Sequence, residues 1–261
     1  MTVFAQDGFD LRVEWGSEGV RALGPHCAVV IVVDVLVFTT TVDVVLGRGG
    51  RVLPLPWQDE RAARAAEAAG ATLTPVGLRG ADGGTAGNGR WTLRPSSLVD
   101  LPAGTFLGIS SANGATLCAA AAATGTTVLA GCLRNASAVA AAAAELAGDR
   151  PIGVVAAGER WRGTPDLRLR PGVEDWLGAG AIAAAVPGRT TRSSEARLAA
   201  MSFQATGSEL STLLSESISG RELAAAGVPT DVRLASEVDV SEVVPVLADG
   251  VFTACARPRM P

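Results

Sequence analysis

CAVVIVVDVL, residues 27–36, is the stretch that decides the fold, because it is uniformly apolar until Asp34. Such a run is typical of a parallel strand that is buried on both faces, and Asp34 stands where the strand ends. The following TTTVDVVLGRGG predicts a helix that closes at Gly47 or Gly49. A strand followed by a helix is the repeating unit of an α/β protein.

The alternation continues along the chain. Further strands are predicted at residues 51–56, 72–77, 104–111, 126–131 and 151–158, and further helices at 59–70, 113–125 and 135–146. The pattern predicts an α/β fold with a mainly parallel sheet flanked by helices.

Beyond about residue 190 the rhythm changes. Residues 193–206, 208–217 and 219–227 are predicted to be helical, while VRLAS (232–236) and GVFTACAR (250–257) are predicted to be short closing strands. We expect this more helical C-terminal part to close the site. The proposed division is an N-terminal α/β lobe of residues 1–150 and a C-terminal lobe of residues 151–261, with one compact domain as the alternative.

Composition limits the chemistry. The 261-residue chain has a net charge of −4, one histidine, no lysine and four cysteines. The charge argues against a nucleic-acid partner, and without lysine an anion must be bound by arginine, backbone N–H groups or a metal. The cysteines lack CxxC spacing, and we see no signal peptide or membrane-spanning run, so we expect a cytoplasmic protein with reduced thiols and no membrane partner. A homodimer is left open.

Polar residues follow four of the predicted strands, where α/β sheets carry their ligands. They are Asp34, Ser110 and Ser111, Arg134 and Asn135, and Glu159 and Arg160. Residues 153–182 add Arg170 and the adjacent Glu174 and Asp175. Carboxylates beside arginines can hold a divalent cation and an anionic ligand together, and a solvated charged loop is the alternative.

The turn SSANGAT (110–116) leads from a strand into a helix. Ser111 or Asn113 can cap this helix, and the free N–H groups of its first turn form an anion site; a simple capped turn is the other interpretation. GxSxG, HExxH and GxxxxGK[ST] motifs are missing, and Leu36 stands where a haloacid-dehalogenase phosphatase needs its second aspartate. The glycine-rich segment 77–90 is interpreted as a surface loop, with a mobile lid as the alternative.

Several of these motifs, in order, resemble the 2-phosphosulfolactate phosphatase family. They are DVLVFTTT (34–41), SSANGAT (110–116), Arg134-Asn135-Ala136, GERW (158–161) and RPGVEDWLGAGAI (170–182), with later echoes in SGREL (219–223) and residues 231–252. The resemblance implies a Mg²⁺-dependent phosphatase that converts 2-phospho-3-sulfolactate to 3-sulfolactate on the route to coenzyme M. One departure is Val37, which occupies the place of the family's arginine.

A mechanism follows from the available groups. Asp34, Glu159 and Glu174 are the catalytic candidates, and Asp34, Glu174 and Asp175 are the candidate ligands of Mg²⁺, which prefers oxygen. Adjacent Glu174 and Asp175 diverge by about 100° on a helix, so we expect one direct ligand from this pair.

The partner is expected to be a small anionic phosphorylated substrate, and the nucleophile is either metal-activated water or Asp34. An impaired homologue that only binds such a compound, and a phosphatase with another substrate, are the alternatives. The candidate substrate-binding residues are Ser110, Ser111, Asn113, Gly114, Thr116, Arg134, Asn135, Arg160 and Arg170.

Overall fold

The structure is a computed structural model that describes residues 3–75, 91–161 and 168–255. Its strands are β1 (Leu11–Trp15), β2 (Val29–Val33), β3 (Arg51–Leu55), β4 (Thr72–Leu73), β5 (Phe106–Ser110), β6 (Thr127–Gly131), β7 (Ile152–Ala156), β8 (Glu159–Arg160), β9 (Leu169–Arg170), β10 (Pro245–Ala248) and β11 (Val251–Ala254). Its helices are α1 (Gly16–Leu23), α2 (Phe38–Gly47), α3 (Glu60–Ala69), α4 (Gly114–Ala122), α5 (Ala136–Ala147), α6 (Val173–Ala185), α7 (Ser194–Thr206), α8 (Leu210–Glu216), α9 (Ile218–Ala225) and α10 (Pro229–Ala235). The glycine-rich segment 77–90 lies outside the described residues.

Nine of the strands form one mixed sheet of order β1-β7-β2-β6-β10-β11-β3-β5-β4. Strands β1, β7, β2 and β6 are mutually parallel, and so are β3, β5 and β4. The antiparallel hairpin β10–β11 joins these two parallel blocks by pairing with β6 on one side and β3 on the other. The predicted α/β class with a mainly parallel sheet is confirmed.

Strand β2 is buried on both faces, as its continuous apolar run predicts. Val29, Ile31 and Val33 pack in one core cluster with α5, α6 and α7. Val30 and Val32 pack in a second cluster with α2 and α4, which also contains residues of β3 and β5. Because successive side chains of a strand point to opposite faces, β2 contributes to both cores and holds Asp34 at a fixed point at its end.

Local signals explain the helix ends that were predicted. The Asp59 carboxylate accepts a hydrogen bond from the Arg61 amide at the start of α3, and Gly70 ends this helix with a φ of 70°. A positive φ is the left-handed conformation that glycine adopts without a steric penalty.

One secondary-structure prediction was wrong. VRLAS, predicted to be a closing strand, belongs to helix α10. Pro229 occupies the first turn of this helix, where its missing N–H is not needed, and buried Asp231 also lies in the first turn. The strand prediction did not take this helix-start signal into account.

The sheet contains strands from both sides of residue 150. Strand β7 lies between β1 and β2, and the β10–β11 hairpin lies between the two parallel blocks. The lobe boundary itself stays a prediction. In the described ranges no helix is both long and apolar enough to cross a membrane.

Candidate active site

A cavity of about 370 Å³ opens beside the end of β2. Its polar lining comes from five separate segments: Asp34, Gln58, Ser111 with Asn113, Glu159 with Arg160, and Ser219 with Glu222 on α9. This volume falls within the range of small-molecule sites. The structure therefore brings together the ends of three predicted strands, and helix α9 of the C-terminal part forms another side of the cavity.

Asp34 lies where two helices begin. Its Oδ2 accepts a hydrogen bond from the Gly114 amide at 2.9 Å, at the start of α4, and its Oδ1 accepts one from the Phe38 amide at 3.4 Å, at the start of α2. Thr39 holds the backbone of Asp34, because its hydroxyl accepts a hydrogen bond from the Asp34 amide and donates one to the Asp34 carbonyl. Helix N-termini stabilise negative charge, so this carboxylate is oriented by the backbone of both helices.

Gly114 is required for this contact. A Cβ atom at this position would lie 2.3 Å from Cδ1 of Phe38 and 2.7 Å from Oδ2 of Asp34. Both distances are below any real Cβ contact, so a side chain here would push the carboxylate away from α4. Glycine is thus needed for the close approach of helix and acid.

Asn113 connects the end of β5 with the end of β7. Its Nδ2 donates a hydrogen bond to Oε2 of Glu159 at 3.0 Å, and its buried Oδ1 has no hydrogen-bond partner. A buried amide oxygen without a partner raises the free energy of the folded protein. It therefore indicates that a donor of a ligand, or a bound cation, interacts with this oxygen.

The carboxylates of the site interact strongly. Burial, followed by the charge of Glu159, raises the pKa of Asp34 to about 7; the amides of Gly114 and Phe38 oppose this rise, and Glu174 adds to it. Burial also raises the pKa of Glu159, where Glu174 adds its charge and Asn113 opposes the shift. Several like charges held out of water form a site that favours a cation or a proton.

Glu174 and Asp175, the predicted pair at the start of α6, have different surroundings. Asp175 is buried, and its two oxygens accept hydrogen bonds of 2.7 Å from the amides of Val35 and Gly158, so it holds the segments that follow β2 and β7. Burial and the charge of Glu174 raise the pKa of Asp175 well above its usual value. Glu174 is 2% exposed, its carboxylate lies next to Gly172, and it is not among the residues that line the cavity.

Two arginines stand near these acids. Arg160 lines the cavity. Arg170 is buried, donates a hydrogen bond to the Ser219 hydroxyl at 3.1 Å and lies 3.8 Å from the Glu222 carboxylate, so it ties the β8–β9 ribbon to α9. Its charge also opposes the pKa rise of Glu159.

The structure places two predicted substrate-binding residues away from the cavity. Arg134 donates a hydrogen bond to Asp43 at 2.9 Å and also pairs with Glu237, in a different surface depression. Asn135 is fully buried. Its Oδ1 accepts a hydrogen bond from the Cys132 amide, and its Nδ2 donates one to the Val243 carbonyl. Both side chains fasten the end of β6 to neighbouring segments, which corrects the inference drawn from their position after a strand.

Ser110 and Thr116 lie close to the cavity but outside its lining. Ser110 is the last residue of β5 and is buried, with an Oγ that has no hydrogen-bond partner. Thr116 is half-buried in the first turn of α4. Residues that the sequence interpretation missed are Ser219 and Glu222, although SGREL had been singled out as an echo of the family pattern.

The donor set is suited to a hard cation. In the part of the chain that the structure describes, no group of three or more His, Cys, Asp or Glu side chains is arranged to hold a metal ion. Mg²⁺ needs only one or two carboxylates, because it keeps several waters and binds substrate phosphate oxygens. Asp34 and Glu159, with the unpartnered Asn113 Oδ1, fit this requirement.

A buried acidic cavity of oxygen donors beside helix N-termini defines an enzyme-like site for a small anionic ligand. The comparison with family models identifies the class as phosphatases, with a match over residues 21–250. The chain belongs to the 2-phosphosulpholactate phosphatase family. This membership supports a hydrolase that acts on a phosphate ester.

Proposed function

We propose that the protein is a Mg²⁺-dependent phosphatase that hydrolyses a small phosphorylated sulfonic or carboxylic acid, of the kind that gives its family its name. The observation that carries this proposal is a group of three carboxylates, buried Asp34 and Glu174 and half-buried Glu159, beside a cavity at the starts of α2 and α4. A phosphate monoester repels these acids unless its charge is neutralised, and Mg²⁺ held by Glu159 and Asn113 Oδ1 would supply that neutralisation.

The residues of the chain bind and orient the ester. The Ser111 hydroxyl, which lines the cavity, is a donor for phosphate oxygens. Arg160, which also lines the cavity, adds a cationic donor. The α9 helix covers the site with Ser219 and Glu222, which limits the access of bulk water.

Asp34 is the group that moves a proton in this proposal. With a pKa of about 7 it is present in both protonation states near neutral pH, as a general acid or base must be. The reaction breaks the phosphorus–oxygen bond of the ester and forms a new one to the oxygen of water. Asp34 takes one proton from the attacking water and gives it to the leaving alkoxide, so the products are the free hydroxy acid and inorganic phosphate.

Phosphate release with and without Mg²⁺ tests the proposal, with Asp34→Asn and Glu174→Gln as variants. Each substitution preserves size and removes one charge, so we expect both proteins to fold and Asp34→Asn to lose turnover by about 100-fold or more, the usual contribution of a proton-transferring group. Glu174→Gln should move the acidic limb of the pH profile to lower pH, because the Glu174 charge raises the pKa of Asp34.

The exposed Glu145 provides a matched control, and Glu145→Gln should leave both rate and pH profile unchanged. Melting temperatures of the same samples separate catalysis from stability. Unchanged activity per folded molecule in Asp34→Asn would show that Asp34 is structural and would overturn the proposed mechanism.

A further inference from the structure

One wall of the cavity is apolar. It includes Leu36 and Val37 from the segment between β2 and α2, Leu93 from the segment before the turn at residues 95–98, and Leu223 from α9; Phe38 and Ala112 are the other apolar residues of the lining. Leu36, Val37 and Leu223 are 7%, 4% and 4% exposed, and Leu93 is half-buried. These side chains belong to the main core clusters, so the wall is a continuation of the core into the cavity.

Hydrogen bonds hold this wall in place. The Thr41 hydroxyl donates to the Leu93 carbonyl at 2.6 Å, which fastens the Leu93 segment to α2. The Thr40 hydroxyl donates to the Val35 carbonyl at 2.8 Å, and the Val35 amide donates to Asp175. These hydrogen bonds hold Leu93 and the backbone of Val35, which precedes Leu36. The apolar surface therefore has a fixed position in the cavity.

The two sides of the cavity demand different chemistry from one ligand. The side formed by Asp34, Asn113, Glu159 and Arg160 accepts a phosphate with its counter-cation. An ionised group placed against Leu36, Val37 and Leu93 would lose its water and gain no hydrogen bond from these side chains, whereas an aliphatic group gains from burial there.

We propose that the preferred substrate is a phosphate ester of a short 2-hydroxy acid whose third substituent is aliphatic, seated against Leu36, Val37, Leu93 and Leu223. This inference rests on the proposed phosphatase function and specifies its substrate class. Val37 is a specificity-determining residue in this arrangement, because it lies next to the Asp34 end of the wall and contributes a branched apolar surface.

A matched series of substrates tests the proposal with the whole chain and Mg²⁺. 2-Phospholactate, 2-phospho-4-methylpentanoate, 2-phosphoglycerate and 2-phospho-3-sulfolactate share the phosphate and the carboxylate and differ only in a methyl, isobutyl, hydroxymethyl or sulfomethyl group. We expect kcat/KM for the methyl or isobutyl compound to exceed that for the sulfomethyl compound by about tenfold or more, the usual discrimination of one apolar contact.

Two variants at one position sharpen the test. Val37→Thr keeps the shape of the side chain and replaces one methyl group by a hydroxyl. The ratio of kcat/KM for 2-phospholactate to kcat/KM for 2-phosphoglycerate should fall by about threefold to tenfold. Val37→Arg should raise the relative rate of the sulfomethyl compound, because it places a cation at the wall. Val240→Thr, at an exposed valine of the other depression, is the control that should change neither ratio.

The outcomes separate the two proposals. Equal or faster hydrolysis of 2-phospho-3-sulfolactate by the unaltered protein would overturn the aliphatic preference and leave the phosphatase function standing. If no compound is hydrolysed, the phosphatase function fails, and the shift in melting temperature caused by each compound still ranks the ligands: a larger shift with the sulfomethyl compound overturns the inference, and a larger shift with the aliphatic compounds supports it.

Discussion

Removal of the Asp34 charge should make the stability of the folded protein less dependent on pH. Asp34 is buried, its pKa is raised to about 7, and burial is the main cause of that shift. The substitution Asp34→Asn preserves the size of the side chain and removes the ionisation. The neutral amide carries no charge to bury, although it cannot accept both backbone hydrogen bonds, from Gly114 and Phe38, that the carboxylate accepts.

The size of the effect follows from the two pKa values. In the unfolded chain the carboxyl loses its proton near 3.8, and in the folded protein near 7. Between these values the folded state binds more protons, so its stability falls as pH rises and becomes constant above the folded pKa. For one such group the loss between pH 5 and pH 8 is about 2–3 kcal/mol.

Urea unfolding of both proteins at pH 5 and pH 8, with metal removed by a chelator, measures this difference. Carboxyls away from the site ionise alike in both proteins, so the comparison reports Asp34 together with its charge interactions with Glu159 and Asp175. We expect the stability of Asp34→Asn relative to the unaltered chain to rise by about 2–3 kcal/mol from the lower to the higher pH. A relative stability that is the same at both pH values would refute the reasoning that the folded protein buries an ionisable Asp34.

Three further results are expected. Gly114→Ala should lower the free energy of unfolding by about 1–3 kcal/mol in urea because of its close contacts, while Gly47→Ala, where the nearest atom lies at 3.6 Å, should be neutral or stabilising. Asp175→Asn should cost about 1–3 kcal/mol by leaving a backbone amide without its acceptor, and an unchanged urea midpoint would show that these bonds are dispensable. A thiol reagent should titrate Cys255 rapidly in the native protein and all four cysteines after denaturation, because the other three are buried; a total below four would reveal a disulfide.

The repeated strand–helix pattern of the central chain was readable because its signals are local. The apolar run of β2, the Asp59 cap and the Gly70 stop each depend on a few neighbouring residues. Strand β1 was missed although Leu11 and Val13 alternate with polar residues, because the segment is short and pairs with the distant β7. The placement of the β10–β11 hairpin between two blocks depends on long-range pairing that no local pattern encodes.

In the candidate site, too, local signals could be read from the sequence and long-range contacts could not. The position of Asp34 after a buried strand made it a candidate from sequence, Glu159 was selected by the same rule, and Asn113 was selected as a possible cap of the helix that follows the SSANGAT turn. That rule selects strand ends without distinguishing between a side chain that faces a cavity and one that fastens a loop. Arg134 is of the second kind, since its partners Asp43 and Glu237 come from α2 and the segment after α10 and are far apart in sequence.

The β10–β11 hairpin has a consequence for the assembly of the sheet in time. It is the last paired element along the described chain, yet it occupies the middle of the sheet. Until it is inserted, β6 and β3 each present an unpaired edge, and unpaired edges recruit strands of other molecules. Its long-range pairing is also slow to form. A folding intermediate that contains both parallel blocks would thus be the species most prone to aggregate, and a chaperone that shields these two edges would raise the yield of native protein.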